Sequence, residues 1–148
     1  MRDYTKIIAW QKADDMTVAV YGVSRAFPRE EMYALTSQLR RAAYSVPANI
    51  VEGATRESKK DYLHFLYIAR GSLAETRYFV HLAHRLQYLS DADRSQLFGH
   101  TDETFRTLAG LIKAVEAETG RLSRAVAHMT SALVLSLAPL IGRFGPPA

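Results

Sequence analysis

The chain has 148 residues, 48% of them hydrophobic and 23% charged, with a formal net charge of +4 and a pI near 9.5. That length suits one domain with a core of its own, and the absence of cysteine excludes disulfides, thiolate nucleophiles and Cys-type zinc sites. The mildly basic balance permits an anionic partner without demanding one, and the opening Met1-Arg2-Asp3-Tyr4 is no signal peptide, so the cytoplasm is the expected compartment.

The first helix is expected from about Ile8 to Phe27. Trp10, Ala13, Thr17, Val20, Ser24 and Phe27 recur at three-then-four spacing, with Met16 and Val23 widening the stripe. Pro28 ends it, because the residue before a proline is pushed out of the helical region. The short connector that follows favours an antiparallel neighbour.

The second helix begins between Met32 and Thr36, with Leu35, Leu39, Ala42 or Ala43, Val46 and Ile50 on its inner face. Pro47 cannot donate to the carbonyl of Ala43, which predicts a kink or break near Tyr44 to Pro47. Asn49 and Glu52 are expected to satisfy backbone groups freed there, and Gly53 to cap the helix. Ser58 then reads as the N-cap of the longest helix, its hydroxyl within reach of the Asp61 amide.

That third helix carries Tyr62, Leu66, Ala69, Leu73, Thr76, Val80 and Ala83 as one stripe and Phe65, Ser72, Phe79 and Leu86 as a second beside it. Gly71 inside it predicts close packing against a neighbour. After the turn at Leu89-Ser90-Asp91, the fourth helix repeats the design with Leu97, Thr101, Thr104, Leu108, Leu111 and Val115, flanked by Phe98, Phe105 and Ile112. Gly120 is expected to interrupt it. Leu122, Val126, Met129, Leu133 and Leu140 resume a helical spacing, and the run from Ala132 to Ile141 is too short to span a bilayer. The expected architecture is all-α: an antiparallel up-down-up-down four-helix bundle over residues 1–119, with a C-terminal helical extension over 120–148 that is disordered at its end.

Charge is unevenly spread. Between residues 37 and 60, Arg40, Arg41, Arg56, Lys59 and Lys60 face only Glu52 and Glu57, whereas residues 91–119 invert the balance. The five central cations are the candidate nucleic-acid contacts, since phosphate binding needs clustered cations on a presented surface. The alternative is a solvated or subunit-bridging face. Phe65, Phe79, Phe98 and Phe105 are the candidate oligomer interface.

Trp10-Gln11-Lys12-Ala13, Leu35-Thr36-Ser37-Gln38-Leu39-Arg40-Arg41-Ala42-Ala43, Val46-Pro47-Ala48-Asn49-Ile50, Glu52-Gly53 and Ala69-Arg70-Gly71-Ser72-Leu73-Ala74-Glu75 together resemble a known bacterial family. It is the four-helix-bundle family named for proteins encoded by intervening sequences inside large-subunit ribosomal RNA genes. The family also includes the accessory variability determinant of diversity-generating retroelements. The resemblance runs from about Arg2 to Glu118. It implies a barrel-shaped homopentamer and, in the retroelement branch, binding of nucleic acid and of a reverse transcriptase.

No catalytic constellation accompanies these features. A di-iron bundle needs a Glu-x-x-His pair on each of two helices, and Asp61-x-x-His64 is the single near match. His81 and His84 lack ligand partners, and Ser45 and Ser72 lack the signature of an activated nucleophile. The reading is therefore a non-enzymatic oligomeric scaffold or binding protein without metal or cofactor, contacting RNA or DNA or a ribonucleoprotein through its basic surface. A purely protein-binding adaptor is the alternative.

Overall fold

The computed structural model describes the backbone of residues 2–141 and the side chains of residues 2–120. Four helices form the bundle: α1 (Ile8–Val23), α2 (Leu35–Thr55), α3 (Lys59–Arg85) and α4 (Asp91–Ile141). Short 3-10 turns at Tyr4–Lys6, Ser24–Ala26 and Arg29–Glu31 lead into α1 and join α1 to α2.

Every neighbouring pair is antiparallel, and cross-helix partners show it directly. Thr17 on α1 meets Ala43 on α2, and Ser24 at the end of α1 meets Arg40, nearer the start of α2. On α3 and α4, Lys59 pairs with Glu118, Tyr67 with Glu116, Arg77 with Asp102 and His84 with Asp91, so one number climbs as the other falls. Lys12 to Glu103 closes the ring between α1 and α4. The turn between α2 and α3 lies at what we call the lower end; the connector between α1 and α2 and the turn between α3 and α4 lie at the upper end.

The core follows from the helical periodicity. A lower cluster joins Met16, Ile50, Tyr62, Leu66, Leu73 and Leu108, and an upper one joins Val20, Phe27, Leu39, Val80 and Leu97. Between them, buried Thr76 and Thr104 return their hydroxyls to the carbonyls of Ser72 and His100 on their own helices, which lets polar side chains sit in an apolar interior. The α3 stripe expected from Tyr62 to Ala83 is buried throughout. On α1 the buried line is Ala9, Ala13, Met16 and Val20, with Trp10 half-buried at its edge. On α4, Ile112 takes the buried place expected for Leu111.

Five local expectations are corrected. α2 is one helix through Pro47 and does not break there; the carbonyl of Ala43 that Pro47 leaves open faces the Thr17 hydroxyl of α1 at 3.0 Å, whose one proton is shared with the Ala13 carbonyl at 2.8 Å. Asn49 instead donates to the carbonyl and hydroxyl of Ser45, and Glu52 pairs with Arg56. Gly53 lies inside α2, which continues to Thr55. A Cβ there would stand 2.9 Å from the Tyr62 ring and 3.0 Å from Phe65 Cβ, so this glycine permits close helix approach. Gly71 is the reverse case, since a Cβ at that position would meet nothing within 4 Å. Finally, α4 continues as helix through Gly120.

The Ser58 cap is as expected: its hydroxyl accepts from the Asp61 amide at 3.0 Å and donates to the Asp61 carboxylate at 2.7 Å. The expected apolar positions Leu122, Val126, Met129, Leu133 and Leu140 have side chains outside the described residues, and so does the chain end expected to be disordered.

Candidate nucleic-acid interface

Arg40 and Arg41 are consecutive on α2 and diverge by about 100°. Arg40 turns toward α1, where its Nε donates to Ser24 Oγ at 2.8 Å and its guanidinium lies 4.9 Å from the centre of the Tyr21 ring. Arg41 turns toward α3, donating to Gln38 at 3.2 Å and standing 3.7 Å from the Glu75 carboxylate. Adjacent in sequence, they serve different seams.

The other three cations gather at the lower end. Arg56 pairs with Glu52, lies 4.7 Å over the Phe65 ring, and offers its carbonyl to Arg2 at 3.0 Å. Lys59 reaches across to Glu118 at 2.6 Å. Lys60 is exposed and meets no partner among the described residues. With a rise of ~1.5 Å per residue, Arg40 and Arg56 stand roughly 24 Å apart along α2. The five cations therefore occupy two separate places, with Arg56, Lys59 and Lys60 brought together and Arg40 and Arg41 kept apart from them.

The four phenylalanines also divide. Phe65 and Phe79 share the α3 face that turns toward α2, the same face whose Ser72 hydroxyl meets Ser45 at 3.0 Å. Phe98 and Phe105 line an open groove of about 410 Å³ between α3 and α4, with Arg77, Tyr78 and His81 opposite. All four rings are half-buried. Arg77 was not singled out by its sequence context. It lies 4.4 Å over the Phe98 ring, donates to Thr101 at 3.0 Å and pairs with Asp102, while Arg94 covers Phe98 at 4.5 Å. Only the antiparallel seam brings α3 and α4 together here, so no local motif marks the site.

The residues weighed for chemistry are otherwise engaged. Asp61 is held by the Ser58 cap, His64 packs edge-on against Phe65 at 5.5 Å, and His84 meets Asp91 at 2.7 Å. No group of three or more His, Asp or Glu converges in metal-binding fashion among the described residues. Ser45 and Ser72 bond to each other and Asn49 donates to Ser45, with no base beside them. Glu116 accepts the Tyr67 hydroxyl and, with burial adding to it, holds that phenol above its ordinary pKa. No helix among the described residues is long and apolar enough to cross a membrane.

The sequence matches a defined family over residues 5–110, described as the 23S rRNA-intervening sequence protein. The chain belongs to the 23S rRNA-intervening sequence protein family. A solved structure with the same fold is a protein of unknown function from the S23 ribosomal protein family of Bacteroides thetaiotaomicron VPI-5482. It is 23% identical, with a TM-score of 0.67, and the match covers 72% of this chain and 99% of that one. No curated protein matches the chain. The segment shared with the intervening-sequence family ends inside α4, so that helix runs well past the family's span.

Proposed function

We propose that this intervening-sequence family protein is a non-enzymatic, homo-oligomeric scaffold that contacts RNA or DNA, alone or in a ribonucleoprotein, through its basic surface. The observation that carries the reading is the state of the central cations. Lys60 is unpaired among the described residues, and the ion pairs of Arg41 and Arg56 are with exposed carboxylates. Exposed ion pairs contribute about 0–1 kcal/mol, so phosphate oxygens compete readily with Glu75 and Glu52. The family's name, which refers to a ribosomal RNA gene, supports the same partner class.

Assembly supplies what one copy lacks. Two cation groups about 24 Å apart make a weak site on a single bundle, but a ring repeats each of them. The family resemblance implies a pentamer, and a member of the retroelement branch would add a reverse transcriptase as partner. In this reading residues 1–119 form the assembling bundle and residues 120–148 an extension to it. The cytoplasm is the compartment that such partners require.

One observation favours the adaptor reading instead. Phe98 and Phe105 line an open groove beside Tyr78, which is 57% exposed, and such a surface suits a protein partner.

The deciding experiment measures mass in solution alongside salt titrations of single- and double-stranded oligonucleotide binding. A closed oligomer whose affinity falls linearly in log–log with salt is expected. An oligomer with no oligonucleotide binding at low salt would leave the adaptor. A monomer would remove the scaffold.

A further inference from the structure

At the upper end, where α1 gives way to the connector, Ser24, Arg25, Arg29, Thr36 and Arg40 line a hollow of about 180 Å³. At ~30 Å³ per water molecule, that is room for a tetrahedral oxyanion with a few waters. Of these residues, only Arg40 belongs to the basic group recognised in the sequence. Arg25 and Arg29 flank Phe27-Pro28, and the break that proline imposes turns both toward the end of α2 where Arg40 lies.

Three features single the hollow out. First, none of its three arginines forms an ion pair with a described residue, a state that Arg2, Arg70, Arg85 and Arg94 share singly but that no other pocket-lining group among the described residues gathers in threes, whereas Arg41, Arg56, Arg77 and Arg106 are all paired. Second, Arg40 is already oriented: its Nε is fixed on the buried Ser24 hydroxyl and its guanidinium carbon lies over the Tyr21 ring, which leaves the terminal Nη groups without an acceptor among the described residues. Third, Thr36 lines the hollow at 5% exposure, and its hydroxyl meets no partner among the described residues. That hydroxyl is not sealed away with the apolar core, so it opens into the hollow as a free donor.

Carboxylates do not compete. Glu31 is committed to the Leu35 amide at 3.1 Å and to the Tyr88 hydroxyl at 3.3 Å. Neither Glu31 nor Glu30 lines the hollow.

We propose that this hollow binds a phosphate group. Guanidinium forks offer paired N–H donors to phosphate oxygens, and the Thr36 hydroxyl adds a further donor to the same oxygens. The phosphate belongs either to a nucleic-acid backbone or to a small phosphate compound. The inference rests on the nucleic-acid reading above only for the first of these sources.

The test titrates the full chain with pyrophosphate, followed by phosphorus NMR, and separately with a single-stranded oligonucleotide at low salt. The variants are Arg25→Gln/Arg29→Gln, Thr36→Val, and Arg85→Gln as an exposed control outside the hollow. Both arginines are exposed, so the double variant should keep its melting temperature. Its pyrophosphate affinity should fall at least about tenfold, with a roughly two- to tenfold loss for Thr36→Val and none for Arg85→Gln. Parallel losses for the oligonucleotide assign the site to a nucleic-acid backbone. Pyrophosphate losses with no oligonucleotide binding support the site, assign it to a small phosphate compound, and sink the nucleic-acid reading alone. Absence of pyrophosphate binding at millimolar concentration, or equal losses in the Arg85 control, overturns the site. Oligonucleotide binding that survives either result leaves the broader reading standing.

Discussion

The two ends of the bundle carry similar numbers of cations and use them differently. At the lower end, Arg56 is tied to Glu52 and Lys59 to Glu118, and the backbones of α2 and α3 close tightly around Tyr62 and Phe65 at Gly53. At the upper end, Arg25, Arg29 and Arg40 have no carboxylate partner among the described residues and surround a hollow. The difference teaches that local charge density is a poor guide to available charge. Glu118 lies 59 residues from Lys59 in sequence, yet it decides whether that lysine is free.

The largest effect should come from breaking the tight end. Gly53→Ala places a methyl 2.9 Å from a buried ring and should destabilise the bundle by about 1–3 kcal/mol, read by urea unfolding. A neutral result would mean that α2 and α3 separate there at little cost.

Alkaline unfolding compares the ends through their tyrosines. Burial raises the Tyr62 hydroxyl at the lower end, with Arg2 opposing, and burial together with Glu31 raises Tyr88 at the upper end. In each case the folded state holds its proton above the unfolded value of about 10. That stability is therefore complete below pH ~10 and lost as pH rises through the folded values. For Tyr62, which is 2% exposed, the loss should approach about 1.4 kcal/mol per pH unit. Tyr62→Phe should flatten the alkaline limb more than Tyr88→Phe does. The reverse order would mean that the upper end is the more tightly closed.

Gly71→Ala is the counterpart of Gly53→Ala with opposite sign. With open space around it in mid-helix, the added methyl should stabilise by about 1 kcal/mol, seen as a higher melting temperature. Smallest are the surface charges. Lys59→Gln should cost at most about 1 kcal/mol, and Arg29→Gln about zero, since only the first has a carboxylate partner among the described residues. Equal losses in a thermal melt would erase the distinction between the ends.

Much of the fold was legible in the residues. The α3 stripe and the Ser58 cap each depend on hydrogen bonds or side-chain spacings within a few positions, whereas α1 gives way at Val23 to a 3-10 turn before the expected stop at Pro28. The candidate site was far less so. Arg40 and Arg41 read as a pair yet face different helices, Phe65 and Phe98 read as one interface yet line different seams, and Arg25 and Arg29 drew no notice beside Glu30 and Glu31.

By itself, the sequence determined four amphipathic helices, their order, and most of the buried line along them, because a period of 3.6 residues and a capping hydroxyl act over one turn of chain. Tertiary structure alone decided that Thr17 would face the carbonyl opened by Pro47, that Gly53 rather than Gly71 would carry the close approach, and which cations would remain unpaired. Those outcomes depend on which atoms a neighbouring helix brings within a few ångströms, and no short window of residues contains that neighbour.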